Sequence, residues 1–273
     1  MARVPDVIWL ASYPKSGNTW LRFLLANLLF GRVAATSDLR KMIPDLHWGF
    51  DLGDFLGRDW ILVKTHSLFG PELALNERTR KVIYIVRNPL DVLVSNLNYS
   101  RLLRYDETAG ADAEPAREYA DAFIAARGDP AWRETGYGSW VENVESWRGE
   151  AHGHDVLMVR YEDLLADTRA EMDRICAFLD LGHDSARIDA AIRDSSFESM
   201  HRLEDIEKRE KKPGIFYDPS RERAYQAGLR FMNRGERGDG KRTLLPSQVT
   251  RAMEAFGPTL EKYGLDQYIV EFQ

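Results

Sequence analysis

One segment near the start of the chain combines a lysine, two hydroxyl residues and a glycine in a pattern that suits phosphate binding. Residues 13–20 read Tyr-Pro-Lys-Ser-Gly-Asn-Thr-Trp and lie between two apolar runs, 7–10 and 20–30. Such a strand–turn–helix joint directs backbone N–H groups at one point, which the helix N-terminus makes positive. Lys15 adds a mobile cation, and Gly17 lets the backbone approach a ligand closely. The segment predicts a phosphate cradle that is not a Walker A loop, because its lysine precedes the glycine.

The segment resembles the donor-binding loop of the cytosolic sulfotransferases, which reads Tyr-Pro-Lys-Ser-Gly-Thr-Thr-Trp, and only Asn18 departs from it. Those enzymes transfer a sulfuryl group from 3′-phosphoadenosine-5′-phosphosulfate (PAPS) to a hydroxyl or an amine, and they release adenosine 3′,5′-bisphosphate (PAP). On its own, the segment is also consistent with a Pro/Gly turn that caps a core helix. The resemblance implies that the loop binds the donor through Lys15, Ser16, Gly17, Asn18, Thr19 and Trp20.

A histidine follows the second strand candidate, residues 60–64. Ligands of parallel α/β sheets bind beyond the carboxyl ends of the strands, so His66 is expected at the same edge as the cradle. A histidine near its ordinary pKa can take the proton of an acceptor hydroxyl at neutral pH. From this residue alone, a structural histidine in the core is an equally good interpretation.

The Lys-Thr-His order of residues 64–66 is also similar to the sulfotransferases. The resemblance implies that His66 is the catalytic base and that Lys64 helps to hold the transferring group. Lys15 is then expected to stabilise the charge that develops on the leaving 5′-phosphate oxygen. No metal is expected to take part in this reaction.

Arg87 and Ser95 follow the third strand candidate, residues 81–86. A guanidinium group binds phosphate through two parallel hydrogen bonds, and Ser95 can add a hydroxyl donor. A cation is disfavoured at the start of a helix, which favours an anionic partner for Arg87 over a simple surface role. The resemblance implies that both residues bind the 3′-phosphate of the donor.

Several aromatic residues match sulfotransferase positions around the adenine ring. The resemblance implies that Trp20 flanks the base on one side, that Ser195 and Phe197 belong to the segment on the other side, and that Tyr161 lies near it. Stacking contributes ~1–3 kcal/mol per base, so aromatic faces suit a purine. Ordinary core packing is the alternative for these side chains, above all for Tyr161.

The last match is the segment at residues 231–241, which resembles a family segment that returns to the 3′-phosphate. The resemblance implies donor contacts from Phe231, Met232, Arg234 and Gly235. Asn233 stands where an arginine is expected and Gly240 where a tryptophan is expected, which puts the strength of this contact in doubt. The family's dimer motif keeps only Lys241, so the usual dimer is doubtful as well.

The elements that must position these residues form a regular series. The four strand candidates, 7–10, 60–64, 81–86 and 155–160, are short, apolar on both faces and separated by helical stretches. This pattern is typical of a parallel sheet between two layers of helices. We therefore expect a P-loop-like three-layer α/β/α fold, with one domain spanning residues 1–273. Helices are predicted at residues 117–126, 138–148, 167–179 and 246–256.

Composition narrows the class of protein further. The net charge of −6 argues against general nucleic-acid binding, which needs a basic surface. The single cysteine, Cys176, excludes an internal disulfide and is expected to be a core thiol. No apolar run reaches membrane-spanning length, and the first strand leaves no room for a signal peptide. These features predict a cytoplasmic protein with no insertion into membranes.

The acceptor side carries no specific motif. Residues 36–58, 102–137 and 204–230 are expected to form its loops, with the aromatic residues Trp48, Phe50, Phe55, Trp132, Phe216 and Tyr217 among many charges. That mixture suits an amphipathic small molecule. Residues 204–240 are so rich in charge and glycine that they are expected to form a mobile lid that closes over the nucleotide.

Together these observations predict a PAPS-dependent sulfotransferase that acts on a small-molecule hydroxyl or, less favoured, an amine. Two other functions are weighed against it. A P-loop-like kinase would use ATP and magnesium, but the chain lacks the Walker A lysine position. A nucleotide-binding sensor without catalysis would have no need of a base at His66.

Overall fold

Parallel β-strands form the centre of the protein, as the sequence predicts. The computed structural model describes residues 3–105, 113–148, 153–182, 184–232, 235, 237–265 and 267–268. Within those residues the strands are β1 (Asp6–Ala11), β2 (Trp60–Thr65), β3 (Thr79–Val86) and β4 (Asp155–Arg160). Their order in the sheet is β2-β1-β3-β4, and every neighbouring pair is parallel. The carboxyl ends of all these strands therefore open onto one edge of the sheet.

Helices connect the strands and cover both faces of the sheet. Those described are α1 (Asn18–Phe30), α2 (Thr36–Met42), α3 (Pro89–Leu103), α4 (Ala113–Ala125), α5 (Pro130–Glu134), α6 (Trp140–Ser146), α7 (Tyr161–Ala166), α8 (Thr168–Phe178), α9 (Ser185–Asp194), α10 (Phe197–Glu210), α11 (Glu222–Gln226), α12 (Asp239–Thr243) and α13 (Pro246–Lys262). The four predicted helices correspond to α4, α6, α8 and α13. None of the described helices is both long and apolar enough to cross a membrane.

An apolar cluster lies on each face of the sheet. Val7 and Trp9 of β1 point to one face, and Ile8 and Leu10 point to the other, each at most 1 % exposed. The first cluster continues into α3, α6 and α13, and the second into α1, α8 and α9, where Cys176 is buried. The predicted three-layer α/β/α fold is thus confirmed.

The charged run at residues 204–212 differs from its predicted form. Most of it belongs to α10, and Glu204 and Glu207 are 0 % and 1 % exposed. Glu204 accepts hydrogen bonds from the backbone N–H groups of Phe231 and Met232, and Glu207 accepts from the start of α2. Buried carboxylates need such partners. The expectation of a structureless segment is therefore wrong for residues 204–210, whereas closure of the segment over a nucleotide stays a prediction.

Candidate active site

The loop between β1 and α1 has the tight backbone that a phosphate cradle needs. Lys15 and Gly17 both have a positive φ, of 68° and 98°. A Cβ at Gly17 would lie 2.5 Å from the ring of Tyr161, so the turn has no room for a side chain there. Ser16 is fully buried, and its Oγ has no hydrogen-bond partner among the described residues. Because a buried polar atom costs free energy unless it is paired, this loop fits an anionic ligand.

Asn18, the residue that departs from the sulfotransferase loop, fastens the cradle to β1. Its Nδ2 donates to the carbonyl oxygen of Leu10 at 3.1 Å and to Ser12 Oγ at 3.2 Å. Both acceptors lie at the end of β1, so the start of α1 is tied to the strand that precedes the loop. The substitution therefore keeps the loop in place through hydrogen bonds of its own.

His66 lies just beyond β2, with one ring nitrogen fixed by the main chain. Its Nδ1 is 2.8 Å from the carbonyl oxygen of Ser12, which can only accept, so Nδ1 carries the proton. The lone pair is then on Nε2. Burial, and after it the charge of Lys64, lowers the pKa of His66 well below its ordinary value. The ring is therefore neutral at pH 7 and ready to accept a proton on Nε2.

Lys64 is held by a carboxylate for which the sequence gave no signal. Its Nζ is 3.1 Å from Asp45 Oδ2, and Asp45 is also 3.8 Å from the guanidinium of Arg22. Burial lowers the pKa of Lys64 to about 8, and Asp45 opposes that shift. Asp45 thus keeps Lys64 in a fixed position at the edge of the cleft.

His47 is a second histidine beside His66, and the sequence showed no motif around it. The backbone N–H of His66 donates to His47 Nε2 at 2.8 Å, and the two rings lie nearly parallel with centroids 5.8 Å apart. Burial, and after it the charge of Lys64, lowers the pKa of His47 to about 4. The only sequence signal is the order Asp-x-His at residues 45–47 in a short turn, which is too common to indicate a site.

Lys15 lies where aromatic faces and other cations converge. Its Nζ is 4.2 Å from the ring centroid of Tyr99 and 4.9 Å from that of Phe231. Burial lowers its pKa to about 7, and the charges of Arg87 and Arg221 lower it further. Tyr99 and Arg221 are additions that sequence reasoning missed. An anion bound among these cations would stabilise the charged form of the lysine.

Arg87 lies at the end of β3, next to the cradle. It is 7 % exposed, and its Cζ lies 4.3 Å from the ring centroid of Tyr161. Asp91, one helical turn further on, is 3.9 Å from the guanidinium. Ser95 lies another turn along α3 and lines the same cleft. The predicted pair thus faces the cradle from the neighbouring strand.

Trp20, Tyr161 and Phe197 gather around one end of the cleft. The rings of Trp20 and Tyr161 meet edge to face with centroids 5.8 Å apart. Phe197 is 38 % exposed, and a Cβ at Gly235 would lie 2.6 Å from its ring. The Tyr161 hydroxyl donates to the carbonyl oxygen of Gly235 at 3.1 Å. Two partly open aromatic faces therefore remain for a flat ligand, while Tyr161 is mainly a packing residue.

The main chain on either side of Gly235 is anchored by two buried carboxylates. Glu204 holds residues 231–232 through the N–H groups described above. Asp91, which is 1 % exposed, accepts from the N–H groups of Gly238 and Gly240 at 2.8 Å each. The segment is therefore held from α10 on one side and from α3 on the other.

Most predicted site residues meet in one cleft of about 390 Å³. Those that line it are Lys15, Gly17, Asn18, Thr19, Trp20, Lys64, His66, Arg87, Ser95, Tyr161, Phe197, Phe231, Met232 and Gly235. Ser16 does not line it. Neither does Ser195, whose Oγ accepts from Asn27 and whose carbonyl oxygen accepts from the Trp20 indole at 3.0 Å. Ser195 therefore orients Trp20 from behind, and the prediction for Arg234 lies outside the described residues.

A series of aromatic rings forms the wall between Lys15 and His66. Tyr99 stacks on Trp132 at 6.4 Å, Trp132 on Tyr137 at 5.6 Å, and Tyr137 lies 4.6 Å from the ring of His47. We call these four residues, with His66, the ring series. Trp48 also lines the cleft, as expected from the sequence. Phe55, Phe216 and Tyr217 are buried instead, so they are not available to an acceptor.

The described residues include no group of three or more His, Cys, Asp or Glu side chains that could hold a metal ion. The predicted independence from metals stays a prediction.

The fold and the cleft are those of a P-loop-like α/β enzyme that holds a phosphate-bearing substrate at the edge of a parallel sheet. A model of the sulfotransferase domain matches residues 5–264, and the chain therefore belongs to the sulfotransferase family. It is thus a sulfotransferase, as predicted, rather than a kinase or a non-catalytic sensor.

Individual relatives agree with this assignment. The chain is 26 % identical to sulfotransferase 1A1 of Canis lupus familiaris over 96 % of its own length and 85 % of the relative's. It is 27 % identical to cytosolic sulfotransferase 1 of Danio rerio over 72 % and 66 % of the two chains. Its fold is similar to that of mouse sulfotransferase SULT7A1 complexed with PAP, with a TM-score of 0.66, 23 % identity and coverage of 99 % and 89 %.

Proposed function

We propose that this enzyme transfers the sulfuryl group of PAPS to a hydroxyl, less readily an amine, of a small-molecule acceptor. The observation that carries the proposal is the placement of a neutral His66 and of Lys15 in one cleft, next to a cradle built for phosphate. The donor supplies an activated sulfuryl group bound to its 5′-phosphate. Everything else in the reaction is work for the side chains of this chain.

His66 acts as the base. Its Nε2 takes the proton of the acceptor hydroxyl as the acceptor oxygen attacks sulfur, because Nδ1 is already bonded to Ser12. A new O–S bond forms, and the bond between sulfur and the 5′-phosphate oxygen breaks. Its electron pair stays on that oxygen, and PAP leaves. Atoms and charge balance with a protonated His66, which returns its proton to solvent.

Lys15 stabilises the charge that grows on the leaving phosphate oxygen. Its pKa of about 7 reflects burial and the neighbouring charges of Arg87 and Arg221, and a bound polyanion would raise it. Lys64, fixed by Asp45, adds a second positive charge beside the transferring group. The main chain of residues 15–19 holds the 5′-phosphate.

The remaining donor contacts follow from the positions in the cleft. Arg87 and Ser95 bind the 3′-phosphate, together with Gly235 and, by the sequence match, Arg234. Trp20 and Phe197 sandwich the adenine, and Tyr161 supports that site by packing. Phe231 and Met232 bring this part of the chain to the donor.

The acceptor occupies the space beside the ring series. Aromatic faces and paired charges line that space together, which supports an amphipathic small molecule. We propose further that the enzyme works in the cytoplasm, without metal, nucleic-acid or membrane partners. Its dimer motif is largely absent, so we do not assign an oligomeric state.

Two measurements test the proposed function. Sulfur-labelled PAPS incubated with a panel of alcohols, phenols and amines should give labelled product with at least one acceptor. Without acceptor, PAP should raise the melting temperature more than ATP with magnesium does. Stabilisation by ATP with magnesium alone would contradict the proposal, and so would the absence of product from every acceptor in the panel.

A further inference from the structure

We infer that His47 is a positioning residue, which holds the backbone of His66 through its ring Nε2 and thereby aims the base at the acceptor. This inference rests on the proposed function, since it concerns the same proton transfer. It assigns a role to a residue outside all the sequence motifs of the site.

The contact itself has a defined polarity. The N–H of His66 donates to His47 Nε2 at 2.8 Å, so that nitrogen must keep its lone pair. The neutral form of His47 is also the favoured one, because burial lowers its pKa to about 4. The nearly parallel rings, 13° apart, add a second contact between the two residues.

The turn that carries His47 is fixed to the end of β2 from both sides. The backbone N–H of Lys64 donates to the carbonyl oxygen of Pro44 at 2.8 Å. Asp45 accepts from the N–H of His47 at 3.1 Å and pairs with the ammonium of Lys64. His47 is therefore a rigid support rather than part of a loose loop.

His66 is thus held at two separate points. Its ring is bonded to Ser12 and its backbone to His47, on opposite sides of the residue. With one point lost, the residue could turn about the other, and Nε2 would leave its direction toward the acceptor. A misplacement of about 1 Å can reduce a rate about 100-fold, so this second point has consequences for turnover.

His47 also lines the cleft, which offers a competing role in acceptor binding. The two roles predict different kinetics. A positioning residue acts on kcat through His66 and leaves the binding of both substrates nearly unchanged. A residue that binds the acceptor acts on the KM for the acceptor.

Three variants of His47 separate these roles. His47→Phe keeps a ring and loses the acceptor atom, whereas His47→Gln loses the ring and keeps an oxygen near the place of Nε2. His47→Asn carries the same amide as the glutamine variant but is too short to reach His66. His154→Gln is the matched control, because His154 precedes β4 and lies at the opposite edge of the sheet.

The test combines kinetics with backbone amide hydrogen exchange of the free protein. The Phe and Asn variants should lose about 10- to 100-fold in kcat, with unchanged stabilisation by PAP, and the His66 amide should exchange faster. The Gln variant should restore most of kcat and slow exchange. The inference is overturned if the Phe and Asn variants match the wild type, if Gln fails to restore kcat, or if only the KM changes.

The exchange measurement separates this inference from the proposed function. If the wild type makes no sulfated product, the proposed function fails, and the His66 amide still reports whether His47 holds it. If the wild type turns over while the His66 amide exchanges alike in all variants, the inference about His47 fails alone.

Discussion

The two halves of the cleft are built in different ways. The donor half consists of short contiguous segments that follow β1 and β3, so the sheet itself brings Lys15 and Arg87 together. The acceptor half is assembled from His47, Trp132 and Arg221, which come from three separate parts of the chain. His66 stands at the boundary of the two. The comparison teaches that the donor half depends on local backbone geometry, and the acceptor half on long-range packing.

The largest effect is expected at the boundary. His66→Ala removes the base and should lower kcat by at least about 100-fold, while PAP still raises the melting temperature as in the wild type. His154→Ala serves as the control. Near-normal turnover by the His66→Ala variant would remove this residue from the mechanism and leave the boundary without a function.

Within the donor half, Arg87→Ala should weaken PAP far more than adenosine 5′-phosphosulfate, which lacks the 3′-phosphate. A charge-assisted bidentate contact contributes about 1.5–3 kcal/mol, which corresponds to about a 10- to 150-fold rise in the Kd for PAP. Arg87→Lys keeps the charge without the fork and should recover only part of the loss. Calorimetric titration measures both ligands, and equal losses for the two would show that Arg87 binds something other than the 3′-phosphate.

The pH dependence of PAP binding tests Lys15. An anionic ligand binds the charged lysine, whose pKa in the free protein is about 7. Above that pH the charged fraction falls, so the Kd for PAP should rise by up to about tenfold per pH unit. The phosphates do not titrate there, because their second pKa is about 6. Lys15→Met should bind PAP weakly with a flatter profile between pH 7 and 9, and an equally steep profile would assign the titration to another group.

Gly17→Ala tests the tight turn of the donor half. The added Cβ would meet the Tyr161 ring, and the positive φ adds strain, so we expect lower thermal stability and weaker PAP binding. Gly57→Ala is a matched control, since Gly57 has a φ of 87° but open space around it. It should show only the strain, about 1 kcal/mol, and no change in PAP affinity. Equal effects of both substitutions would mean that close approach to Tyr161 is unimportant.

The smallest effect concerns the proposed lid. Trypsin should cleave after Lys211 and Lys212, which are 66 % and 61 % exposed, and PAP should slow that cleavage several-fold. Lys208 lies within α10 and should resist in both states. Cleavage after Lys262, far along the chain, is the reference. Identical rates with and without PAP would show that the segment is a fixed part of the fold.

The sequence predicted the sheet and the donor half because each part is encoded locally. An apolar run followed by a cradle such as residues 13–20 can be recognised without any knowledge of distant contacts. The strand ends then locate Arg87 and His66 at the same edge, since all strands are parallel.

The acceptor half could not be predicted in the same way. His47 and Asp45 act through bonds to residues about twenty positions away, and their own turn has no distinctive pattern. The charged run at 204–212 gave the wrong signal for a related reason. Its composition is that of a solvated loop, whereas Glu204 is buried against backbone N–H groups that only the folded chain brings to it.

The two carboxylates that anchor the chain around Gly235 have a thermodynamic consequence. Glu204 and Asp91 bond to main-chain N–H groups of the protein itself, so this stretch acquires its order during folding. The entropy of ordering is then not charged to nucleotide binding. Calorimetry should therefore find a small heat-capacity change for PAP, typical of a rigid partner, rather than the large negative value of coupled folding and binding.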